Sequence, residues 1–354
     1  MAGLLRAPPR RPFVDLTGPV AAILAAQRPD GAIPWFEGGP WDPWNHAECV
    51  MALDAMGEFE AADAGFDHLQ ASQLPDGAWL GEYGNALPMA GRLKIARQPA
   101  PAVRDANFTA YPAVAVWRRY LATRDLGWAR RRWPMVRAAI GYVLSLQHPH
   151  GDVSWCGEAH GGALDDALVA GNASIYAALG CAIRLAGVLG EPAEAWTLAR
   201  ARLRRAILCA PERYGRRGGV AGPGGAFAMD WYYPILAGVM TPAAAFARLE
   251  AGAARFMRRG LGCRCVSGEP WVTVAESCEF ALALIRLGNL AQAEAVLSWQ
   301  DAQRDADGAY WMGWQFEEQI FWPQEKPSWT QAAAILAHDA LAGESAASAV
   351  LVTG

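Results

Sequence analysis

The sequence predicts an all-α protein, an (α/α)6 toroid in which six helical hairpins form an inner and an outer ring. Three observations carry that prediction. Helical periodicity runs through Ala-rich segments with almost no strand-like alternation. About twelve helices are separated alternately by tight Gly turns and by long loops rich in Gly, Pro and Trp. One helix exit is spelled at least four times, as "AAQRPDGAIPW", "ASQLPDGAW", "SLQHPHGDVSW" and "AQRDADGAYW".

Taken in order, the outer helices are expected at "GPVAAILAAQ", "AADAGFDHLQASQ", "RRRWPMVRAAIGYVLSLQ", "AEAWTLARARLRRAI", 243–258 and "LAQAEAVLSWQ". The inner helices alternate with them, at "HAECVMALDAMG", "TAYPAVAVWRRYLATR", "ASIYAALGCAIRLAGVLG", 231–241, "ESCEFALALIRLG" and "SWTQAAAILAHDALAG". Each exit has a local reason. Asp-Gly permits the left-handed turn that stops a helix, a Gln can bond the carbonyls left open there, and the Trp covers the joint. Gln27, Gln73 and Gln147 each stand three residues before the turn position, at Asp30, Asp76 and His150, whereas Gln303 to Asp307 is one longer. The spacing of the exits fits multiples of a hairpin of roughly 50 residues with insertions. These exits are architecture. With no linker or composition break, residues 16–345 are expected to be a single toroid, 1–15 an N-terminal extension and 346–354 a C-terminal tail.

Composition narrows the function. Of 354 residues, 53% are hydrophobic and 19% charged, enough apolar side chain for a large core. A net charge of -4 provides no basic field for nucleic acid. The N-terminus lacks the apolar stretch of a signal peptide, no membrane span is expected, and the reading is a cytoplasmic protein. The seven cysteines are an odd number and sit mostly in apolar helical patterns, so free thiols are expected. Gly-rich "GVAGPGGAF" has no Lys-Ser/Thr after it, and no metal-ligand spacing stands out, so no cofactor and no metal are expected.

The segments entering the inner helices are unusual in pairing carboxylates with aromatics: "WDPWNHAE", "VRDANFTAY", "GGALDDALVAGNASIY", "AMDWYYP", "EPWVTVAESCEF" and "FEEQIFWPQEKPSWTQ". An acid at one helix start complements the helix dipole and needs no further account. Six such starts converging on one face imply an acidic, aromatic-walled pocket for a small-molecule substrate. From these segments Trp41, Asp42, His46 and Glu48 are candidate substrate-binding residues, as are Asp230, Trp231 and Tyr232, and then Glu276 and Trp329.

Two resemblances follow from these motifs. The Gln-x-x-Asp-Gly-x-Trp exits resemble the repeats of squalene-hopene cyclases, whose toroid is shared with prenyltransferase β subunits. On that resemblance "LDDA" (Asp165, Asp166) is the nearest match to the cyclase acid motif, which makes Asp166 a catalytic candidate. "ESC" (Glu276, Ser277, Cys278) matches two zinc ligands of the prenyltransferases, while Trp329, Thr330 and Gln331 stand where their His is needed.

The second resemblance, to six-hairpin, glucoamylase-like glycosidases, runs through "RDANFTAYPAVAVWRRYLATRDLGWARRRWPMVRAAIGYVLSLQHPHG" and "EEQIFWPQEKPSWTQAAAILA". It implies that Arg104 and Asp105 bind sugar hydroxyls, that Glu318 is the general base and that Glu158 of "SWCGE" is the general acid. An inverting glycosidase sets one protonated carboxyl against the leaving oxygen and one carboxylate behind a water. The expected function is therefore a carbohydrate-active enzyme using paired carboxylates. The alternatives are a terpenoid cyclase or prenyltransferase-like enzyme on an isoprenoid, and a toroid that binds a ligand without catalysis.

Overall fold

The computed structural model describes residues 14–84, 103–157, 166–214, 226–343 and 345–353. The N-terminal extension up to residue 13 lies outside them. α1 (Thr17–Ala26), α2 (Pro43–Ala55) and α3 (Phe59–Ser72) come first. A two-residue strand β1 (Arg104–Asp105) leads into α4 (Ala106–Ala110) and, past Tyr111, into α5 (Pro112–Thr123) and α6 (Leu126–Ser145). β2 (Cys156–Gly157) pairs antiparallel with β1. α7 (Val169–Leu189), α8 (Glu194–Cys209), α9 (Ala228–Leu236) and α10 (Pro242–Phe256) follow.

The inner ring closes on itself. α2 packs against α5, α5 against α7, α7 against α9, α9 against α11 (Val274–Arg286), α11 against α13 (Ser328–Ala342), and α13 back against α2. Five inner helices carry the outer helix that follows them: α3, α6, α8, α10 and α12 (Leu290–Gln300). The sixth, α13, takes α1 instead, so the last hairpin joins the first helix described to the last of the ring. The all-α toroid is thus observed. α7 is long and apolar enough to cross a membrane, but 72% of its apolar window is buried in the ring, which accounts for that composition. Within the span read as a tail, α14 (Val350–Thr353) packs on α11.

Local chemistry explains where the inner helices begin. Asp42 caps α2 by accepting the Asn45 N–H at 2.9 Å, with Pro43 at the first helical position. Asp105 caps α4 through the Phe108 N–H, also at 2.9 Å. The far end of the ring is tied by the buried Arg118, which donates to the Met51 carbonyl on α2 and to the Asp339 carboxylate on α13, both within hydrogen-bond distance.

The repeated exits are joints between neighbouring hairpins. Gln27 donates to Gly31 O and Ala61 O, Gln73 to Gly77 O and Met135 O, and Gln147 to Gly151 O and Ala199 O, each time linking its own turn to the next outer helix. Gly is required at the turn. At Gly77, φ is +90° and a Cβ would stand 2.4 Å from the Ala138 carbonyl oxygen. In the fourth exit the role passes to Arg304, which donates to Gly308 O and to Asp15 O before α1. Counted from Arg304 the spacing to Asp307 is the same as in the other three, so the apparent one-residue slip at Gln303 is removed. The amide six residues after the donor is caught by the next inner helix: Ile33 N–H by His46 Nδ1 at 3.0 Å, Val153 N–H by Asn172 Oδ1 at 2.9 Å, and Tyr310 N–H by Gln331 Oε1 at 2.8 Å.

One element departs from the expectation. A five-stranded antiparallel sheet, β3 (Met257–Arg258), β4 (Gly262–Arg264), β5 (Trp271–Thr273), β6 (Gly313–Gln315) and β7 (Ile320–Phe321), stands at the end where α11 begins, since β5 runs straight into that helix. Strands of two or three residues are too short to show a two-residue alternation. All seven cysteines are free.

Candidate active site

The N-terminal ends of five inner helices, α2, α7, α9, α11 and α13, and the short α4 that leads into the sixth, surround a cavity of about 580 Å³. α2 contributes Trp44, Asn45 and Glu48; α4 and its cap contribute Asp105, Asn107 and Phe108. The start of α7 brings Leu168, Ala170 and Ile175, and that of α9 brings Phe227, Met229 and Asp230. Glu276 and Glu279 descend from α11, one turn apart on one face, and Trp329 stands at the head of α13. Trp155 and Cys265 enter from loops. Five carboxyl groups therefore face one cavity, and among its described lining residues there is no Lys or Arg.

The carboxyls are not equivalent. Glu48 is buried and accepts hydrogen bonds from Trp44 Nε1 at 3.0 Å and from the Tyr111 hydroxyl at 3.1 Å. The two rings stack, with centroids 4.6 Å apart, and so fix the carboxyl from both donors. Burial pushes Glu48 up from 4.5 to about 7, against those donors and with the help of Asp42 and Glu276 nearby. Glu279 is also buried, accepts from the Tyr232 and Tyr233 hydroxyls, and is driven well above the carboxylate range by burial and by Glu48. Asp230 accepts the Ala170 N–H at 3.1 Å, and burial raises it too. Asp105 is committed to its cap. Glu276 sits in the first turn of α11, where the helix dipole complements a negative charge, and the Cys265 thiol is its hydrogen-bond partner.

Five of the candidates read from the sequence line this cavity: Glu48, Asp105, Asp230, Glu276 and Trp329. Others serve the frame. Trp41 stacks on Tyr83 at 4.3 Å, and Asp42, pushed by burial to about 6, holds Trp35 and Asn45 besides capping α2. His46 is fully buried between Ile33 N–H and Gly65 O, and burial drives it down to about 3, so it is a neutral joint and not a ligand. Trp231 stacks between Phe256 and Phe280, Tyr232 supports Glu279 from behind, and Arg104 forms an ion pair with Asp76 at 2.7 Å.

Of the sequence-derived catalytic set, the two described members fall elsewhere. Glu318 is exposed in the turn between β6 and β7 and does not line the cavity. Asp166 also stays off the cavity wall, and its carbonyl accepts the Trp155 N–H. Glu158 and Asp165 lie outside the described residues. Sequence reasoning missed Glu279, Asn107 and Trp44. An acid inside the apolar run "CEFALAL" was the available signal for the first. Among the described residues no three His, Cys, Asp or Glu side chains gather as metal ligands.

No protein-family model matches the chain. It is 41% identical over 320 residues to the MMP endo-(1,4)-3-O-methyl-α-D-mannosidase of Mycolicibacterium hassiacum, covering 90% of this chain and 84% of that protein. The fold is similar to that of a solved glycosidase (TM-score 0.67, 15% identity, 92% of this chain and 95% of the other). It is also similar to a GH63 mannosylglycerate hydrolase from Thermus thermophilus in complex with glucose (TM-score 0.65, 14% identity, 90% and 98%). The likeness of the helix exits to cyclase repeats gains no support from these matches.

Proposed function

Because the chain belongs to the glycoside hydrolase family of the Mycolicibacterium hassiacum mannosidase, we propose that it hydrolyses an internal α-1,4-mannosidic bond in a 3-O-methylated mannose polymer. The observation that carries the chemistry is Glu48, a carboxyl facing the cavity and held by burial at about 7, so that about half of it keeps its proton at neutral pH, where an ordinary Glu keeps almost none. Glu48 is the general acid that protonates the leaving glycosidic oxygen. Glu276 is the facing carboxylate. Unlike Asp105 and Asp230, it has no backbone amide to hold, and it stands at a helix N-terminus that complements its charge. It activates the water, or attacks the anomeric carbon itself, as positive charge develops there. Trp44, Trp155 and Trp329 offer flat apolar faces to the sugar rings. The base assigned to Glu318 by resemblance gives way to Glu276, since Glu318 stands exposed away from the cavity, while Glu158 lies outside the described residues.

The test is hydrolysis of 3-O-methylated α-1,4-oligomannosides followed by reducing-end release, with the anomer formed first read by NMR. Wild-type turnover with loss of at least about a thousandfold in Glu48→Gln and in Glu276→Gln supports the pair. Full activity in either variant removes that residue from the mechanism. The isoprenoid alternative is addressed by the same protein incubated with allylic diphosphates, for which no turnover is expected.

A further inference from the structure

The cavity has two unlike halves. On the α2, α4 and α11 side it presents Asn45, Glu48, Asp105, Asn107, Glu276 and Glu279. On the α7 and α9 side it presents Leu168, Ala170, Ile175, Phe227 and Met229. Of the two polar side chains on that second side, Asn172 is already engaged and Asp230 has one of its two oxygens engaged. Asn172 is bonded to both the N–H and the C=O of Val153 and to the Tyr214 hydroxyl, and Asp230 accepts the Ala170 N–H. A sugar hydroxyl turned to the Leu168, Ile175, Phe227 and Met229 part of this wall, away from the second oxygen of Asp230, loses its hydrogen bonds to water and meets no replacement. An ether methyl loses nothing there and gains contact with the apolar wall.

At the edge of the wall stands Asn107. It is 8% exposed, lines the cavity, and its side-chain oxygen is buried without a hydrogen-bond partner among the described residues. Its Cβ lies 3.6 Å from where a side chain on Gly171 of α7 would begin, so this acceptor adjoins the apolar half. A buried acceptor left open at a cavity wall is satisfied when a ligand brings a donor.

Resting on the mannosidase reading, we propose that the α7–α9 wall selects sugars bearing an O-methyl ether while Asn107 accepts the hydroxyl next to that ether. In a 1,4-linked, 3-O-methylated mannose that hydroxyl is the one on carbon 2. Leu168 and Met229, neither of them fully buried, are the wall residues whose change tests the selection directly. Neither belongs to the acid–base pair.

The experiment compares matched α-1,4-oligomannosides with and without 3-O-methyl groups, measuring both binding by calorimetry and cleavage rate. Wild type, Met229→Gln, Leu168→Gln and Asn107→Ala are used, each checked for an unchanged melting profile. The wild type is expected to prefer the methylated ligand by about 10- to 100-fold. Either wall variant should reduce that preference at least fivefold. Asn107→Ala should weaken both ligands by about tenfold and leave their ratio unchanged. Preferential binding without cleavage by the wild type overturns the mannosidase reading and leaves the methyl-selecting wall standing. Cleavage without methyl preference, or a preference that both wall variants retain, overturns the wall. Failure to bind either ligand overturns both.

Discussion

Changing Glu48 to Gln should remove activity and, at alkaline pH, make the protein more stable. Gln keeps the shape and an oxygen to accept from Trp44 and Tyr111, but carries no charge. In the wild type the carboxyl moves from 4.5 when unfolded to about 7 when folded, because burial penalises the ionised form. Each tenfold change in proton affinity corresponds to about 1.4 kcal/mol, so keeping Glu48 ionised in the fold costs on the order of 3 kcal/mol. The sign follows from which state binds the proton more tightly. Here the folded state does, so wild-type stability declines as pH rises from 4.5 to about 7, and the full penalty is present above that. Urea midpoints of the two proteins measured at pH 4, 6 and 8 check this. The variant should gain over the wild type between the first and last pH and show no gain at pH 4 beyond a constant offset. A difference that does not change with pH would refute the burial account of Glu48, whatever the variant does to catalysis.

Three further outcomes are expected. Glu318→Gln should leave kcat/KM within about twofold, because the side chain is exposed away from the cavity, and steady-state kinetics on any cleaved oligomannoside reads this. Gln73→Ala should cost about 1–3 kcal/mol by thermal unfolding, with kcat unchanged, since it deletes two hydrogen bonds that join one hairpin to the next. Gly77→Ala should be more damaging than Gln73→Ala in the same assay. Its added methyl meets the Ala138 carbonyl in a backbone conformation that Ala disfavours.

Much of the ring was legible because its joints are made by local chemistry. Asp-Gly turns, a Gln three residues ahead and a Pro or Asp at the inner helix starts are all written in contiguous residues. Arg304 escaped notice because a guanidinium replaces the Gln amide, and only the bonds to Gly308 and Asp15 show the equivalence. The site was harder to read because it depends on which way neighbouring acids turn. Asp42 and Glu48 share one segment, yet Asp42 folds back onto Asn45 and Trp35 while Glu48, nearly two turns on, looks into the cavity. Asp105 and Glu276, read from the sequence as substrate-binding candidates at helix starts, do line the cavity. Glu279 lies within an apolar run, where its helix-facing direction depends on the closure of the whole ring. Glu318 was placed by likeness of short motifs, and the hairpin that carries it comes from strands too short to announce themselves.

The pairing of α1 with α13 has a consequence for biogenesis. As the chain leaves the ribosome, each new hairpin can settle on the previous one, but α1 must wait for the helix translated last of the twelve before its apolar face is covered. Until then the nascent chain is an open arc with two sticky ends. An arc of this kind can close on itself or on another nascent chain. The joint at Gly18 and Gly308, where the two backbones touch so closely that a methyl on Gly18 would lie 2.5 Å from its neighbour, is then the last seam to form, and it fits the chain's own end and that of an identical copy alike.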